Sequence, residues 1–143
     1  KLALAETAVP PELLELEVTE SVLMTDEERV IATMHQIKAL GVRLAIDDFG
    51  TGYSSLSYLT RLPLDVLKID RRFIEHIPQA KDDKQIATAI IALAHTMNFK
   101  VLAEGVETAE QLAFLRQQGC DFYQGYYFSK AIPASEFTAL IQR

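Results

Sequence analysis

The sequence lacks the features that mark secreted and membrane-spanning proteins. Cys120 is its only cysteine, so no intramolecular disulfide can form and a reducing compartment is expected. The chain does not open with a basic stretch followed by an apolar core, so no signal peptide is predicted. Its most apolar stretch, residues 86–97, is interrupted by polar residues and is shorter than the ~20 residues that a membrane span needs. We therefore expect a cytoplasmic location, within a parent protein that could carry a membrane anchor elsewhere.

Positive charge is also scarce. The 143 residues contain 14 Lys and Arg against 20 Asp and Glu, which gives a net charge of −6. Duplex nucleic acids are bound mainly through basic surfaces, so no duplex-binding function is expected. A small anionic ligand stays possible because bound divalent cations can reverse the sign of the local field. With 49% hydrophobic and 24% charged residues, the composition is that of a folded globular chain.

Alternating strands and helices are predicted along the whole chain. Period-two alternation indicates a first strand over residues 14–18, with Glu15 and Glu17 on one face. Four further strands are predicted, at residues 42–47, 66–69, 100–103 and 121–124. The predicted helices comprise one with a Thr25–Glu28 capping box and a stop at Gly41, a short one near 55–60, one over 84–97, one from Thr108 (capping box with Gln111) to Gly119, and one opened by Pro133 and running through Ile141.

This order of elements predicts the fold class. Strand-helix-strand repetition with short connections is typical of a parallel α/β sheet with helical cover. The strands carry too much charge on one face for an open sheet that is buried on both sides. We therefore predict a partial (β/α)8 TIM-type barrel of about five parallel strand-helix units, which forms one domain over residues 1–143.

Each predicted strand delivers a polar or ionisable side chain at its carboxyl end. These residues are Glu17, Asp47, Asp48, Lys68, Asp70, Glu104 and Gln124. Any one of them alone is more simply read as a solvated strand-end charge, and Glu15 with Arg43, lower in the barrel, is expected to form only a structural ion pair. Together they indicate a site, because the carboxyl ends of barrel strands form the functional face.

The side chains in this set point to metal-assisted chemistry. Glu17, Asp47 and Asp48 converge without histidine or cysteine, and such hard oxygen ligands favour Mg²⁺ or Mn²⁺ over zinc. Adjacent aspartates can serve two ions about 3.5–4 Å apart, as phosphodiester cleavage by two metals requires. Lys68 could orient the attacking water or neutralise a phosphate oxygen, and Glu104 could act as a general base.

Two neighbouring segments could contact a substrate. Gly50, Thr51 and Gly52 follow the aspartate pair, and their backbone could approach a phosphate or could simply form a tight turn. The aromatic residues Tyr123, Tyr126, Tyr127 and Phe128 follow the fifth strand, and they could pack in the core or stack on a guanine base. The pattern leaves both pairs of alternatives open.

Five motifs together resemble those of the EAL family of cyclic-di-GMP phosphodiesterases. They are Glu17-Val18-Thr19-Glu20, Asp47-Asp48-Phe49-Gly50-Thr51-Gly52, Lys68-Ile69-Asp70, Glu104-Gly105-Val106-Glu107 and Gln124-Gly125-Tyr126. Their order matches that of the family, and the resemblance covers essentially the entire chain.

The resemblance implies a barrel that hydrolyses cyclic-di-GMP to the linear dinucleotide pGpG with two Mg²⁺ or Mn²⁺ ions. It assigns metal binding to Glu17, Asp47 and Asp48, and contact with water or metal to Lys68. Glu104 and Gln124 fall at catalytic-centre positions. Asp70 and Glu107 fall at other site-lining positions, and Glu20 matches a glutamate that steadies the loop after the aspartate pair. The family uses that loop in substrate binding and dimerisation, so a homodimer is expected.

The sequence also departs from the family pattern. The Glu-Ala-Leu motif and the metal-binding asparagine of the next strand belong upstream of Lys1, and Ala131 stands where proline is common. We expect this chain to be the C-terminal part of the domain, inactive alone, in a parent protein with regulatory domains. The alternative functions are a receptor that binds cyclic-di-GMP without cleaving it and an interaction module with neither property.

Overall fold

The computed structural model describes residues 2–20, 22, 26–50 and 56–142. Along the chain it contains helix α1 (Leu2–Thr7), strand β1 (Glu15–Thr19), helix α2 (Glu27–Lys38), strand β2 (Arg43–Phe49), helix α3 (Leu56–Leu59), strand β3 (Val66–Ile69), helix α4 (Lys81–Thr96), strand β4 (Lys100–Ala103), helix α5 (Ala109–Gln117), strand β5 (Phe122–Tyr123) and helix α6 (Ala134–Ile141). Two short 3₁₀ turns, Pro11–Leu13 and Arg71–Phe73, precede β1 and α4.

The five strands form one parallel sheet in the order β1-β2-β3-β4-β5. The predicted α/β fold with five parallel strand-helix units is confirmed. Within the described residues, β1 and β5 each pair with a single neighbour, so both edges of the sheet are unpaired there.

The register places the predicted site side chains on one face of the sheet. Glu17 lies opposite Ala45, and Ala45 lies opposite Val66. Lys68 is opposite Leu102, which is opposite Phe122. Since side chains alternate between the two faces of a strand, residues two positions further along these strands project to the same side. One face therefore carries Glu17, Asp47, Lys68, Glu104 and Gln124.

The other face of the sheet forms the hydrophobic core with the helices. Leu44, Ile46, Leu67, Ile69 and Val101 are fully buried there. Helix α4 contributes its own buried stripe of Ala87, Ile90, Ile91 and Ala94, spaced by three and four residues. This packing holds the sheet rigid behind the polar face.

Several element ends differ from the sequence prediction. Helix α2 is capped by Asp26, whose side chain accepts a hydrogen bond from the Arg29 amide; the predicted capping residue, Thr25, lies outside the described residues. Helix α4 begins three residues earlier than predicted, and β5 keeps only two of its four predicted residues. Pro133 is the residue before α6 and not its first residue. The capping box of Thr108 and Gln111 is confirmed.

Two aspartates tether the strands at the end of the sheet opposite the predicted site. Asp65, just before β3, accepts hydrogen bonds from the Leu44 amide at 2.8 Å and from Lys38 Nζ at 2.7 Å. Asp121, just before β5, accepts from the Val101 amide at 3.0 Å and from Lys100 Nζ at 2.7 Å. Each carboxylate links the start of one strand to the backbone of the preceding strand.

The predicted ion pair between Glu15 and Arg43 is present, with 3.5 Å between Oε2 and Nε. It lies two residues before Glu17 on the same face of β1, toward the tethered end. None of the helices in the described part of the chain combines the length and hydrophobicity that a membrane span requires.

Candidate active site

The site begins at an irregularity in strand β2. Ile46 pairs with Leu67, but Phe49 pairs with Ile69, so β2 carries one extra residue between these two pairs. This β-bulge coincides with Asp47 and Asp48, and Asp48 adopts a left-handed backbone conformation with φ of 55°. Bulges re-aim side chains at barrel rims. Here the bulge brings carboxylate oxygens of two consecutive residues within 4.8 Å of each other.

Lys68 lies at the centre of the site and contacts three carboxylates. Its Nζ atom is 2.7 Å from Glu17 Oε1, 2.9 Å from Asp47 Oδ1 and 2.7 Å from Glu104 Oε1. The lysine side chain is only 5% exposed. Burial by itself lowers the pKa of Lys68, but the contacts with Glu104, Glu17 and Asp47 outweigh it and raise the pKa above its usual value. Lys68 is therefore a permanent cation that joins strands β1, β2, β3 and the end of β4.

Asp48 and Asp70 form a second interaction, on the outer side of the bulge. Burial, a hydrogen bond with Asp70 and the charge of Asp47 raise the pKa of Asp48. Asp70 caps the following 3₁₀ turn, and its Oδ1 accepts hydrogen bonds from the Arg72 amide at 2.7 Å and from Arg72 Nε at 3.2 Å. Although burial opposes it, these bonds and the charge of Arg72 lower the pKa of Asp70. The interaction between the two carboxyl groups therefore shifts their pKa values in opposite directions.

Three carboxyl groups could hold a metal ion together. Asp47, Asp48 and Glu104 each offer an oxygen, and these oxygens lie within 4.8 Å of one another. Asp47 Oδ1 is buried, and its polar partner among the described residues is Lys68 Nζ at 2.9 Å. A carboxylate offers about four lone-pair sites, so a metal ion could bind Asp47 alongside Lys68. The donor set consists entirely of oxygens, which suits Mg²⁺ or Mn²⁺.

Glu17 and Glu104 both reach the site, but they make different contacts there. Glu17, predicted as a metal ligand, contacts Lys68 and is not part of the three-carboxylate group. Glu104, predicted as a general base, belongs to that group and also contacts Lys68. Both side chains thus converge on the site as predicted, while their individual roles stay predictions.

The glycine-rich segment is described only at its first residue. Gly50 has φ of +94°, and a Cβ atom there would lie 3.0 Å from Phe73 Cε2 and 3.3 Å from Ile90 Cδ1. Glycine is therefore required at this position by the turn and by packing against the protein's own side chains. Thr51 and Gly52, predicted to bind substrate, lie outside the described residues.

Gln124 lies on the rim, beyond the end of β5. Its backbone bonds Ala103 and Val106, and it lines a cavity of about 440 Å³ together with Tyr126, Phe128 and residues of α6. Of the four aromatic residues in the cluster at 123–128, only Tyr123 packs against the core, while Tyr126 and Phe128 are 61% and 64% exposed. The core-packing alternative is therefore wrong for these two.

The two remaining predicted residues flank the site. Glu107 is exposed, and its backbone amide donates a hydrogen bond of 2.7 Å to Gln111. Glu20 is 4% exposed, which fits a structural role, but most of the loop that it is predicted to steady lies outside the described residues.

Comparison with known proteins identifies the family. A family model described as EAL domain matches residues 1–131. The chain belongs to the EAL-domain family. The cyclic di-GMP phosphodiesterase NbdA of Pseudomonas aeruginosa is 54% identical over 131 residues, which are 92% of this chain and 17% of NbdA.

Solved EAL-domain structures share the fold. The structure of "PaMucR Phosphodiesterase, c-di-GMP complex" superimposes with a TM-score of 0.91 at 47% identity, over 95% of this chain and 55% of that one. A manganese and cyclic-di-GMP complex of Klebsiella pneumoniae BlrP1 superimposes with a TM-score of 0.82 at 33% identity, over 90% of this chain and 33% of that one. This EAL-domain chain thus spans less than a fifth of NbdA and about half of the PaMucR structure.

The sequence of this EAL-domain chain does not reveal one polar residue that connects two loops carrying site residues. Gln111 was assigned only to a helix cap, yet it is 3% exposed and also bonds the loop that follows β3. A glutamine in the first turn of a helix does not reveal a second set of partners 36 and 37 residues away. The hydrogen bond between Asp48 and Asp70 depends on the bulge in β2, so the sequence does not predict it either.

Proposed function

We propose that this chain supplies the metal-binding part of a cyclic-di-GMP phosphodiesterase, which hydrolyses cyclic-di-GMP to linear pGpG in bacterial second-messenger signalling. The observation that carries the proposal is the convergence of Asp47, Asp48 and Glu104 beside the buried Lys68. The names of NbdA and of the PaMucR complex support the substrate.

Mg²⁺ or Mn²⁺, bound as two ions, is the cofactor in this proposal. Asp47, Asp48 and Glu104 would hold an ion directly, and Glu17 would join them by leaving Lys68. The manganese complex of BlrP1 supports the choice of metal. Bound divalent cations would polarise the phosphate and stabilise charge on the attacking and leaving oxygens.

The side chains of the chain itself orient the reactants. Lys68 Nζ fixes one oxygen of each of three carboxylates within 2.9 Å and presents positive charge to a phosphate oxygen. The Glu104 carboxylate accepts the proton of the attacking water. As the water oxygen bonds to phosphorus, the bond from phosphorus to the 3′ oxygen breaks, and that oxygen takes up a proton to give the hydroxyl of pGpG. Gln124, Glu107 and Asp70 line the substrate, and the exposed Tyr126 and Phe128 are suited to stack on guanine.

The isolated chain is proposed to be inactive. Its sheet leaves the β1 and β5 edges unpaired in the described residues, and it spans 55% of the PaMucR structure. Further strands would be needed to enclose the substrate and complete the ligand set. Regulatory domains elsewhere in the parent protein and a cytoplasmic location, consistent with the single thiol of Cys120, belong to the same proposal.

A hydrolysis assay with paired glutamate variants tests this function. Cyclic-di-GMP is incubated with the full-length gene product in Mg²⁺ or Mn²⁺, and pGpG is followed by chromatography. Glu17→Gln should lower the rate about 100-fold or more, which is about 3 kcal/mol of lost transition-state stabilisation. Glu15→Gln, on the same face of the same strand, should leave the rate within about twofold, because Glu15 contacts Arg43 and not Lys68.

The other outcomes separate the alternatives. Binding of cyclic-di-GMP without turnover in either metal would indicate a receptor. Absence of both binding and turnover would indicate an interaction module. Equal losses in the two glutamate variants would mean that β1 has only a structural role.

A homodimer of the isolated chain is also proposed, because an unpaired parallel edge favours association. Light scattering coupled to size-exclusion chromatography measures the mass directly. A stable monomer at micromolar concentration would contradict it.

A further inference from the structure

Gln111 connects two loops that carry site residues. Its side chain is almost completely buried, at 3% exposure, although it belongs to the first turn of α5. Both polar atoms of its amide group are used. A buried amide whose donors and acceptor are all engaged fixes the relative position of its partners.

One end of the amide serves the loop after β4. Gln111 Oε1 accepts hydrogen bonds from the Glu107 amide at 2.7 Å and from the Thr108 amide at 3.0 Å. The second bond completes the capping box, in which Thr108 Oγ1 accepts from the Gln111 amide at 3.2 Å. This loop begins at Glu104, three residues before Glu107.

The other end serves the loop after β3. Gln111 Nε2 donates to the carbonyl oxygens of Ile74 at 3.1 Å and Glu75 at 3.3 Å. This loop begins at Asp70, which caps the 3₁₀ turn leading directly to Ile74 and shares a hydrogen bond with Asp48. A helix cap does not need these two bonds.

The two loops also touch directly. Gly105 has φ of +68°, and a Cβ atom there would lie 2.6 Å from Arg71 Cγ and 2.9 Å from Arg71 Cβ. The loops therefore pack with no room for a side chain between them.

We propose that Gln111 is a positioning residue for phosphodiester hydrolysis, which sets the separation of Glu104 from Asp70 and Asp48 by tying their loops together. This inference rests on the proposed function and deepens it. Gln111 touches neither Lys68 nor a carboxylate of the site, so it acts through the backbone of Ile74, Glu75 and Glu107.

Two variants separate positioning from capping. Gln111→Glu keeps the acceptor for Glu107 and Thr108 but replaces the Nε2 donor, so only the bonds to the β3 loop are lost. Thr108→Ala removes the other half of the capping box and leaves those bonds intact. Gln111→Met, which buries no charge but also loses the bonds to Glu107 and Thr108, serves if Gln111→Glu does not fold, and its effect beyond that of Thr108→Ala is then the readout.

The first measurement is steady-state hydrolysis by the full-length gene product. Gln111→Glu should lower kcat by about 10- to 100-fold, because small misplacements of catalytic groups have effects of this size. KM should change by less than about threefold, and Thr108→Ala should retain wild-type kcat. Equal kcat values for the two variants, or a change confined to KM, would overturn the proposal.

The second measurement, hydrogen exchange followed by mass spectrometry, needs no activity. Gln111→Glu should accelerate exchange in residues 69–76, whose bonds to Gln111 Nε2 it loses, whereas Thr108→Ala should affect only the segment around its own helix start. Unchanged exchange in residues 69–76 would refute the link. If the wild-type protein does not hydrolyse cyclic-di-GMP, the proposed function fails, while the exchange comparison still decides whether Gln111 joins the loops.

Discussion

Replacing Lys68 with methionine should destabilise the metal-free protein and strengthen its binding of divalent cations. Methionine has nearly the same length as lysine and fills the same buried space, but it carries no charge. The variant leaves Glu17, Asp47 and Glu104 without the cation that they share at 2.7–2.9 Å. Their mutual repulsion is then unopposed.

The size of the effect follows from burial. Removing one partner of a buried ion pair costs roughly 3–5 kcal/mol. The three carboxylates are 48%, 23% and 22% exposed, so water can partly solvate them and the lower figure, about 3 kcal/mol, is expected. A divalent cation then meets three acidic groups with no competing ammonium ion. We expect its dissociation constant to fall at least about tenfold, which corresponds to 1.4 kcal/mol.

The assay combines urea denaturation with isothermal titration of Mn²⁺. In EDTA the variant should unfold at lower urea than the wild type, and Mn²⁺ at about 100 times its dissociation constant should restore about 2.7 kcal/mol. Lys100→Met is the control, because Lys100 Nζ also lies 2.7 Å from a carboxylate but its side chain is 61% exposed. That pair should contribute no more than about 1 kcal/mol. Unchanged stability in EDTA together with unchanged Mn²⁺ affinity in Lys68→Met would refute the reasoning.

Two further predictions concern the stability of the chain. Although burial opposes it, hydrogen bonds from Lys100, His95 and the Val101 amide lower the pKa of Asp121 from 3.8 to about 2. Asp121 therefore stabilises the fold above about pH 4, by about 2 kcal/mol at most, and this contribution is lost as the pH falls toward 2. The difference in unfolding free energy between wild type and Asp121→Asn, measured in urea, should close over that range. A difference that stays constant with pH would contradict the lowered pKa of Asp121. Gly125→Ala should lower the melting temperature more than Gly119→Ala, since a Cβ at Gly125 overlaps the backbone of Val106 whereas the nearest atom at Gly119 is 4.0 Å away. Equal shifts by calorimetry would show that the positive φ of the two glycines, and not this overlap, sets the loss of stability.

Local patterns predicted the interior of the fold well. The bounds of β3 and β4 agree with the prediction because both are short apolar runs between turn residues. Strand β5 is shorter because Asp121, predicted as its first residue, instead tethers the strand through its side chain to the Val101 amide. The cap of α2 falls on Asp26, since either of two consecutive cap-forming residues satisfies the same sequence rule. The exact residue at which a strand begins or a helix is capped is decided by contacts with neighbouring elements.

The candidate site was likewise predictable only in part from local sequence patterns. The positions of Glu17, Lys68 and Glu104 at the ends of their predicted strands grouped them at one end of the sheet, because every strand in a parallel sheet runs in the same direction, and the three side chains are in contact there. These positions did not show that a single lysine contacts three carboxylates, which depends on the register of four strands. The contacts of Gln111 with Ile74 and Glu75 depend on how two loops pack, and sequence spacing carries no information on that.

The bulge in β2 has a consequence for how acidic pairs are interpreted in related sequences. In a regular strand, neighbours such as Asp47 and Asp48 would project from opposite sides and could not act on one ion. Their cooperation depends on one surplus residue and on the left-handed backbone of Asp48, a conformation that aspartate tolerates better than most side chains. Deleting one residue from this segment would separate the pair while leaving both carboxylates in the sequence. Two adjacent aspartates at a strand end therefore indicate that both bind one metal ion only when the strand carries an extra, unpaired residue. Insertions and deletions in this segment should be as damaging to metal binding as the loss of an aspartate itself.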